Sequence, residues 1–341
     1  MRPLHWVRGT IVAVLCLLPA ILHAAVQAPE AATHADATED RPVFTPLLRI
    51  NLRGEARANA GNSPDPTTDS WRVVEGVRAG IKARYRELTV VAQFQDVRAW
   101  GQGGLISSNP FTGLHQGYIE VGGETNRSVS GFIRVGRQEI VYGSRRHFHS
   151  SPFNIAGRAF DGVRAQLNVG KASLDLSYML AARPESFTVV GPDDTETSVR
   201  GRGDHLAYGD LGFDFHPAAE LHAAVILQRL GARETDPTRD RSFIMPGARM
   251  TGDLSDELDY EVEGWLQRGS ERDLDLRTWM AAATIRYTST TTMHPGARLH
   301  YEIHSGSRCT GDPTAGEPCG GSEHRDFDQL DGARVPVWES T

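Results

Sequence analysis

The chain has 341 residues, a formal net charge of −7, 23% charged residues and three cysteines. That balance lacks the basic excess of a nucleic-acid binder, and a mean hydropathy of −0.37 leaves no room for a bundle of membrane-spanning helices. It does not exclude a membrane β-barrel, whose strands alternate apolar and polar residues and average to a soluble-looking composition.

Arg2 and Arg8 flank the start of a short apolar run, TIVAVLCLLPAIL, which small residues follow in LHAAVQA. Charged, apolar, small is the order of a secretory signal peptide, and the run is too short to span a bilayer comfortably. Residues 1–25 are expected to be a signal that leaves with Cys16, cleaved after Ala24, Ala25 or Ala28; an uncleaved anchor is the alternative. Residues 26–46 then form a flexible periplasmic segment, 47–306 the strands of the main domain, and 307–341 an extracellular loop and tail.

From residue 47 the chain alternates with period two. LRINLRGEARAN puts Leu48, Ile50 and Leu52 on one face and Arg49, Asn51, Arg53, Glu55 and Arg57 on the other. WRVVEGVRAGIKARY repeats the scheme, with Trp71, Val73, Val77, Ile81 and Tyr85 against Arg72, Arg78, Lys82 and Arg84. Glu75 interrupts the apolar face, as a residue near a rim or a bulge would. Such alternation over ten or more residues predicts strand. Continuing, it predicts thirteen strands centred near residues 53, 78, 93, 118, 135, 164, 177, 210, 225, 247, 262, 281 and 301, the tenth weakly patterned.

The connections alternate between long stretches (AGNSPDPTTDS, GQGGLISSNPFTG, residues 143–158, RPESFTVVGPDDTETSVRGRG) and tight ones (RE, GGETNRS, GKA, HPAA), less cleanly after residue 231. Long at one end and tight at the other is the pattern of an antiparallel up-and-down barrel with one rim outside the cell and the other in the periplasm. An arginine facing lipid at the bilayer midplane would cost roughly 2–4 kcal/mol, so the face of Arg49, Arg53, Arg78, Lys82 and Arg84 must meet water. In a barrel that water fills the lumen. Trp71, Tyr85, Trp279 and Tyr287 end apolar faces and suit interfacial girdles, or a core if the fold were a sandwich. Lys82 and Lys171 are the only lysines among 36 basic residues; a GC-rich coding bias accounts for that as readily as a need for arginine's bidentate fork.

Three segments, AQFQDVRAWGQ (92–102), RVGRQEIVYGSRR (134–146) and FNIAGRAFDGVRAQL (153–167), resemble the alginate-export family of bacterial outer-membrane barrels, supported by HQGYIEV (115–121) and FDQL (327–330). The resemblance runs from about residue 47 to 330 and implies a monomeric, roughly eighteen-stranded barrel in a Gram-negative outer membrane. It implies partners in outer-membrane lipid, the barrel-assembly machinery and an anionic polysaccharide or small anionic solute, and no cofactor. Motif positions add Gln95, Asp96 and Arg98, then Arg134, Arg137 and Gln138, then Arg158, Asp161 and Arg164. The expected pore lining is thus Arg49, Arg53, Arg78, Lys82, Arg84, Gln95, Arg98, Arg134, Gln138, Arg158, Asp161 and Arg164, a cationic ring that lowers the barrier for anions. The same arginines could instead pair with Asp96, Glu139, Asp161 and Asp175 in ladders that stiffen the wall. Only eleven residues follow FDQL, about five strands short of the family's barrel, so a truncated or frame-disrupted product is the expectation.

Cys309 and Cys319 are expected to bridge a loop in an oxidising compartment. His147 and His149 lack further ligands at metal-site spacing, and GPDDTET lacks the alternating ligands of a calcium loop. A barrel enzyme would need a Ser/His/Asp set at one rim, which the sequence does not assemble; a soluble carbohydrate-binding β-protein is the other alternative.

Overall fold

A computed structural model of the chain describes residues 41–57, 70–101, 111–126, 128–148, 155–182, 186–190, 196–201, 203–216, 218–232, 240–271, 274–291, 295–305 and 323–324. The signal segment, His149 and both Cys309 and Cys319 lie outside these residues.

The strands are β1 (Val43–Arg57), β2 (Ser70–Tyr85), β3 (Leu88–Gly101), β4 (Phe111–Asn126), β5 (Val129–Gln138), β6 (Phe160–Val169), β7 (Ala172–Ala182), β8 (Ser186–Val190), β9 (Glu196–Arg200), β10 (Asp204–His216), β11 (Ala219–Leu230), β12 (Arg241–Ser255), β13 (Leu258–Glu271), β14 (Leu274–Thr288), β15 (Gly296–His304) and β16 (Glu323–His324). Thirteen of them form one antiparallel up-and-down path, β1 to β7 and then β10 to β15. β16 adds a short parallel pairing to β14, and β8 pairs only with β9 as a separate hairpin. Each of the thirteen expected centres falls inside one strand of the path. β1 begins four residues ahead of the expected residue 47.

Among the described residues the sheet is not closed: β1 pairs only with β2 and β15 only with β14. No more than two residues separate β2 from β3, β4 from β5, β6 from β7, β10 from β11 and β12 from β13, whereas 139–159 and 183–203 separate strands at the other end. The rule fails after β13, where two residues lead to β14 at the long end and seven lead from β14 to β15 at the tight end. Arg86 (φ 52°) and Gly170 (φ 57°) take the left-handed conformation that a two-residue hairpin turn demands.

Burial alternates as the sequence does. Along β3 Thr89, Val91, Gln93, Gln95 and Val97 are buried, while Leu88, Val90 and Phe94 are exposed. Leu48, Ile50 and Leu52 are 66–69% exposed, so among the described residues no second layer covers the apolar face of β1. A sandwich would bury that face and expose the arginines. The buried face is instead covered by the connection between β5 and β6. Residues 139–148 fold back onto it, and Ile155 packs with Val74 of β2 and Val97 of β3. The same connection reaches Tyr208 on β10, Glu263 on β13 and Glu302 on β15. A sheet whose second and last path strands both touch one segment must curl around it.

The interior is not wholly polar, which period-two reading did not foresee. Ile140, Tyr142 and Phe148 of the folded-back segment join Phe160, Met179, Leu206, Tyr208, Ile226, Phe243, Met245, Trp265, Leu276 and Met280 in one buried cluster.

Candidate functional site

Cross-strand register decides which expected residues share the inner face. Arg49 lies opposite Arg78, Arg53 opposite Val74, and Glu55 opposite Arg72. Arg78, Lys82 and Arg84 lie opposite Gln95, Val91 and Thr89. Arg134 lies opposite Glu120 and Arg164, Gly136 opposite Gly162, and Gln138 opposite Phe160. Arg49, Arg53, Arg78, Lys82, Arg84, Gln95, Arg134, Gln138 and Arg164 therefore all face inward.

Two expected residues do not. Arg98 is three residues from Gln95, an odd step, so it occupies the outward face with Glu75 opposite it and Asp96 2.6 Å from its Nε. Asp161 is likewise three residues from Arg164; it faces outward opposite Arg137, whose Nη1 is 3.3 Å away. Arg158 stands half-buried in the connection just before β6, not on a strand.

Inward arginines are largely held by carboxylates. Glu55 accepts from Arg53 (2.8 Å) and Arg72 (2.7 Å), Glu139 from Arg78 (2.8 Å), Glu120 from Arg134 Nε (2.7 Å), and Asp175 from Arg164 Nη2 (2.6 Å). Arg134 also lies over Tyr118 and Phe132, and Arg164 over Phe132 and Tyr142. Of the four acids expected in a ladder, Glu139 and Asp175 hold inward arginines, whereas Asp96 and Asp161 pair on the outward face. Lys82 and Arg84, toward the tight-turn mouth, and Arg49, at mid-strand opposite Arg78, have no acidic partner within ion-pair distance among the described residues.

The expected ring is replaced by two walls of opposite sign. Among the described inward side chains, β1–β6 supply Arg49, Arg53, Arg72, Arg78, Lys82, Arg84, Arg134 and Arg164 against Glu55 and Glu120. β7 and β10–β15 supply Asp175, Asp210, Asp214, Glu220, Asp253, Asp259, Glu261, Glu263, Glu271 and Glu302 against Arg241, Arg249, Arg286 and Arg298.

The folded-back segment is polarised to match. Its first residue, Glu139, binds Arg78 on the basic wall and His115 (2.6 Å), which a β-bulge on β4 turns inward beside Gln116. Burial would raise the Glu139 carboxyl, but the His115 hydrogen bond and the charges of Arg78 and Arg49 outweigh it and hold the group below the ordinary glutamate range. Arg146 binds Glu263 (2.5 Å) and Glu302 on the acidic wall. Ser144 adds a bond to Glu263, and Tyr142 stacks on Tyr208 at 4.0 Å and donates to Asp175. His147 is buried edge-on to Trp265. A Cβ on Gly76 would collide with Ile155, so a glycine on β2 makes room for the returning arm. On the tight-turn side of the segment a cavity of 420 Å³ remains, lined by Arg164, Lys171, Asp175, Asp210, Glu220, His222 and Arg249 among others.

Arg72 was placed on the polar face by alternation but not counted in the lining, and His115, Arg146, Glu263 and Glu302 were not singled out by sequence. For Glu263 the signal existed: LDYEVEGW places Asp259, Glu261 and Glu263 on one face by parity alone.

The family model described as alginate export matches residues 53–327. No curated protein matches the chain. Among solved structures it is similar to OmpT, an outer membrane protein of Vibrio cholerae folded in vitro, at 10% identity and a TM-score of 0.36, covering 77% of this chain and 86% of that one.

Proposed function

The chain belongs to the alginate export family, and from that premise we propose that it lies in the outer membrane as a monomeric, passive channel for an anionic polysaccharide or smaller anionic solute. The observation that carries this reading is the two-walled interior. Opposite charges facing each other across a narrow lumen set up a transverse field that draws an anionic chain to the β1–β6 side. There it first meets Lys82 and Arg84 at the tight-turn mouth, which have no acidic partner within ion-pair distance among the described residues, and then Arg49, whose charge Glu139 partly answers. Further in, Arg134 and Arg164 are already satisfied by Glu120 and Asp175, so a passing carboxylate exchanges with a bound one and is held weakly. Weak, repeated sites let a polymer leave as readily as it enters. The 139–148 segment narrows the path and sets what fits. No catalytic step is part of the proposal.

Planar-bilayer recording in a salt gradient tests it. Neutralising Arg49, Lys82 and Arg84 to Gln is expected to shift the reversal potential toward cation preference. Asp259→Asn with Glu261→Gln is expected to shift it toward anions, because each change frees an arginine, Arg286 or Arg249. An oligouronate should block current added from the tight-turn side, and a neutral oligosaccharide of equal length should not. Unchanged selectivity in both variants, or equal block by both sugars, would overturn the reading.

A further inference from the structure

On the outward face of the thirteen-strand sheet, the described acidic and basic side chains keep to one end. Glu75, Asp96 and Arg98, then Arg137 and Asp161, then His205 and Arg229, then Arg268, Asp275 and Arg277 all lie toward the long connections. Below them the face is apolar down to Tyr85, Phe213, Leu254 and Tyr287. The belt is uneven in sign. Arg98 answers Asp96 and Glu75, and Arg137 answers Asp161. Among the described side chains, positive charge prevails across β11–β14: Asp275, 3.5 Å from Arg277, answers that arginine, and Arg229 and Arg268 are the further cations.

Within that patch Arg268 and Arg277 stand directly opposite each other in register. Like charges facing one another across a strand pair repel; Asp275 tempers this at Arg277, and an anion drawn to Arg268 tempers it further. Arg268 is also held in place: its Nη1 donates to the carbonyls of Gln267 (2.9 Å) and Thr278 (3.2 Å), leaving the exposed remainder of its fork for an outside acceptor. Ser242 and Ser270, the row between Arg229 and Asp275, are small hydroxyl residues that leave the surface shallow there. One two-residue step down, about 7 Å along the strands, come Leu266 and Trp279, exposed and apolar. The arginine pair thus stands where hydrocarbon gives way to headgroups.

We propose that this β11–β14 patch binds the phosphate groups of a phosphorylated glycolipid of the outer leaflet. The inference rests on the outer-membrane reading above. It is tested on the full chain refolded into vesicles, with lipid A carrying its phosphates as one probe and the same lipid stripped of phosphate as the other. The wild type should retain the phosphorylated lipid about tenfold more tightly, the worth of about one charge-assisted hydrogen bond. R268Q/R277Q should lose that preference while still inserting and migrating as a heat-modifiable band. Equal retention of both lipids by inserted wild type, or a preference kept by the double variant, would overturn the inference alone. Competition by inorganic phosphate at concentrations comparable to the lipid would also overturn it, marking a site for free anions. Failure of the wild type to insert would overturn the outer-membrane reading along with it.

Discussion

Arg146 is the residue on which the folded-back segment turns, because it carries one guanidinium to two strands of the acidic wall. Its partner Glu263 is 2% exposed, and a carboxylate so deeply placed is stranded if the arginine is removed. Arg146→Ala is therefore expected to destabilise the segment's docking by about 3–5 kcal/mol, and bilayer recording should show larger and noisier single-channel conductance than the wild type. Adding Glu263→Gln should recover part of the loss, since no charge is then left buried. An unchanged conductance would mean the segment does not constrict the path. At this scale the sequence was legible only through parity. Gln95 with Arg98, and Asp161 with Arg164, were grouped as neighbours in a motif, yet an odd separation on a strand sends the members of each pair to opposite faces. The pairing of Arg146 with Glu302, 156 residues away, has no local signature at all.

The strands themselves were the most legible elements, because one face stays apolar for the full length of each. β12 was the weakest, and its register explains why. Ile244 is outward while Phe243 and Met245 are inward and buried, so apolar residues occupy both faces and alternation fades. Pro246, without an N–H to donate, falls where the ladder to β13 skips from Ile244↔Arg268 to Gly247↔Trp265. The β8–β9 hairpin was missed because each arm is only five residues long and sits in a long polar connection. Gly247 tests how tightly β12 and β13 are matched: a Cβ there would enter the Trp265 ring. Gly247→Val is expected to cost roughly 1–3 kcal/mol by overpacking, read as a lower urea midpoint for loss of the heat-modifiable band. A midpoint equal to wild type would show that Trp265 can move aside freely.

For the molecule as a whole, the curled sheet separates two environments, and its thirteen strands agree with the sequence pattern while its interior does not. The arginine face was expected to ring a water-filled hole. Instead, half of the inner surface is acidic, much of it is packed with Met, Phe and Trp, and a strand connection lies across it. These features come from residues far apart in sequence meeting across the sheet, which no alternation pattern encodes. The outward face carries the central claim, and native tryptophans report on it. Trp279 is outward and 41% exposed, whereas Trp265, opposite Met280 on the same two strands, is inward and 6% exposed. Single-tryptophan variants keeping one or the other, reconstituted in vesicles of brominated lipid, give the most direct measurement. Strong quenching of Trp279 with Trp265 left bright is the predicted result; equal quenching of both, or a bright Trp279, would contradict a sheet that turns its apolar side to hydrocarbon.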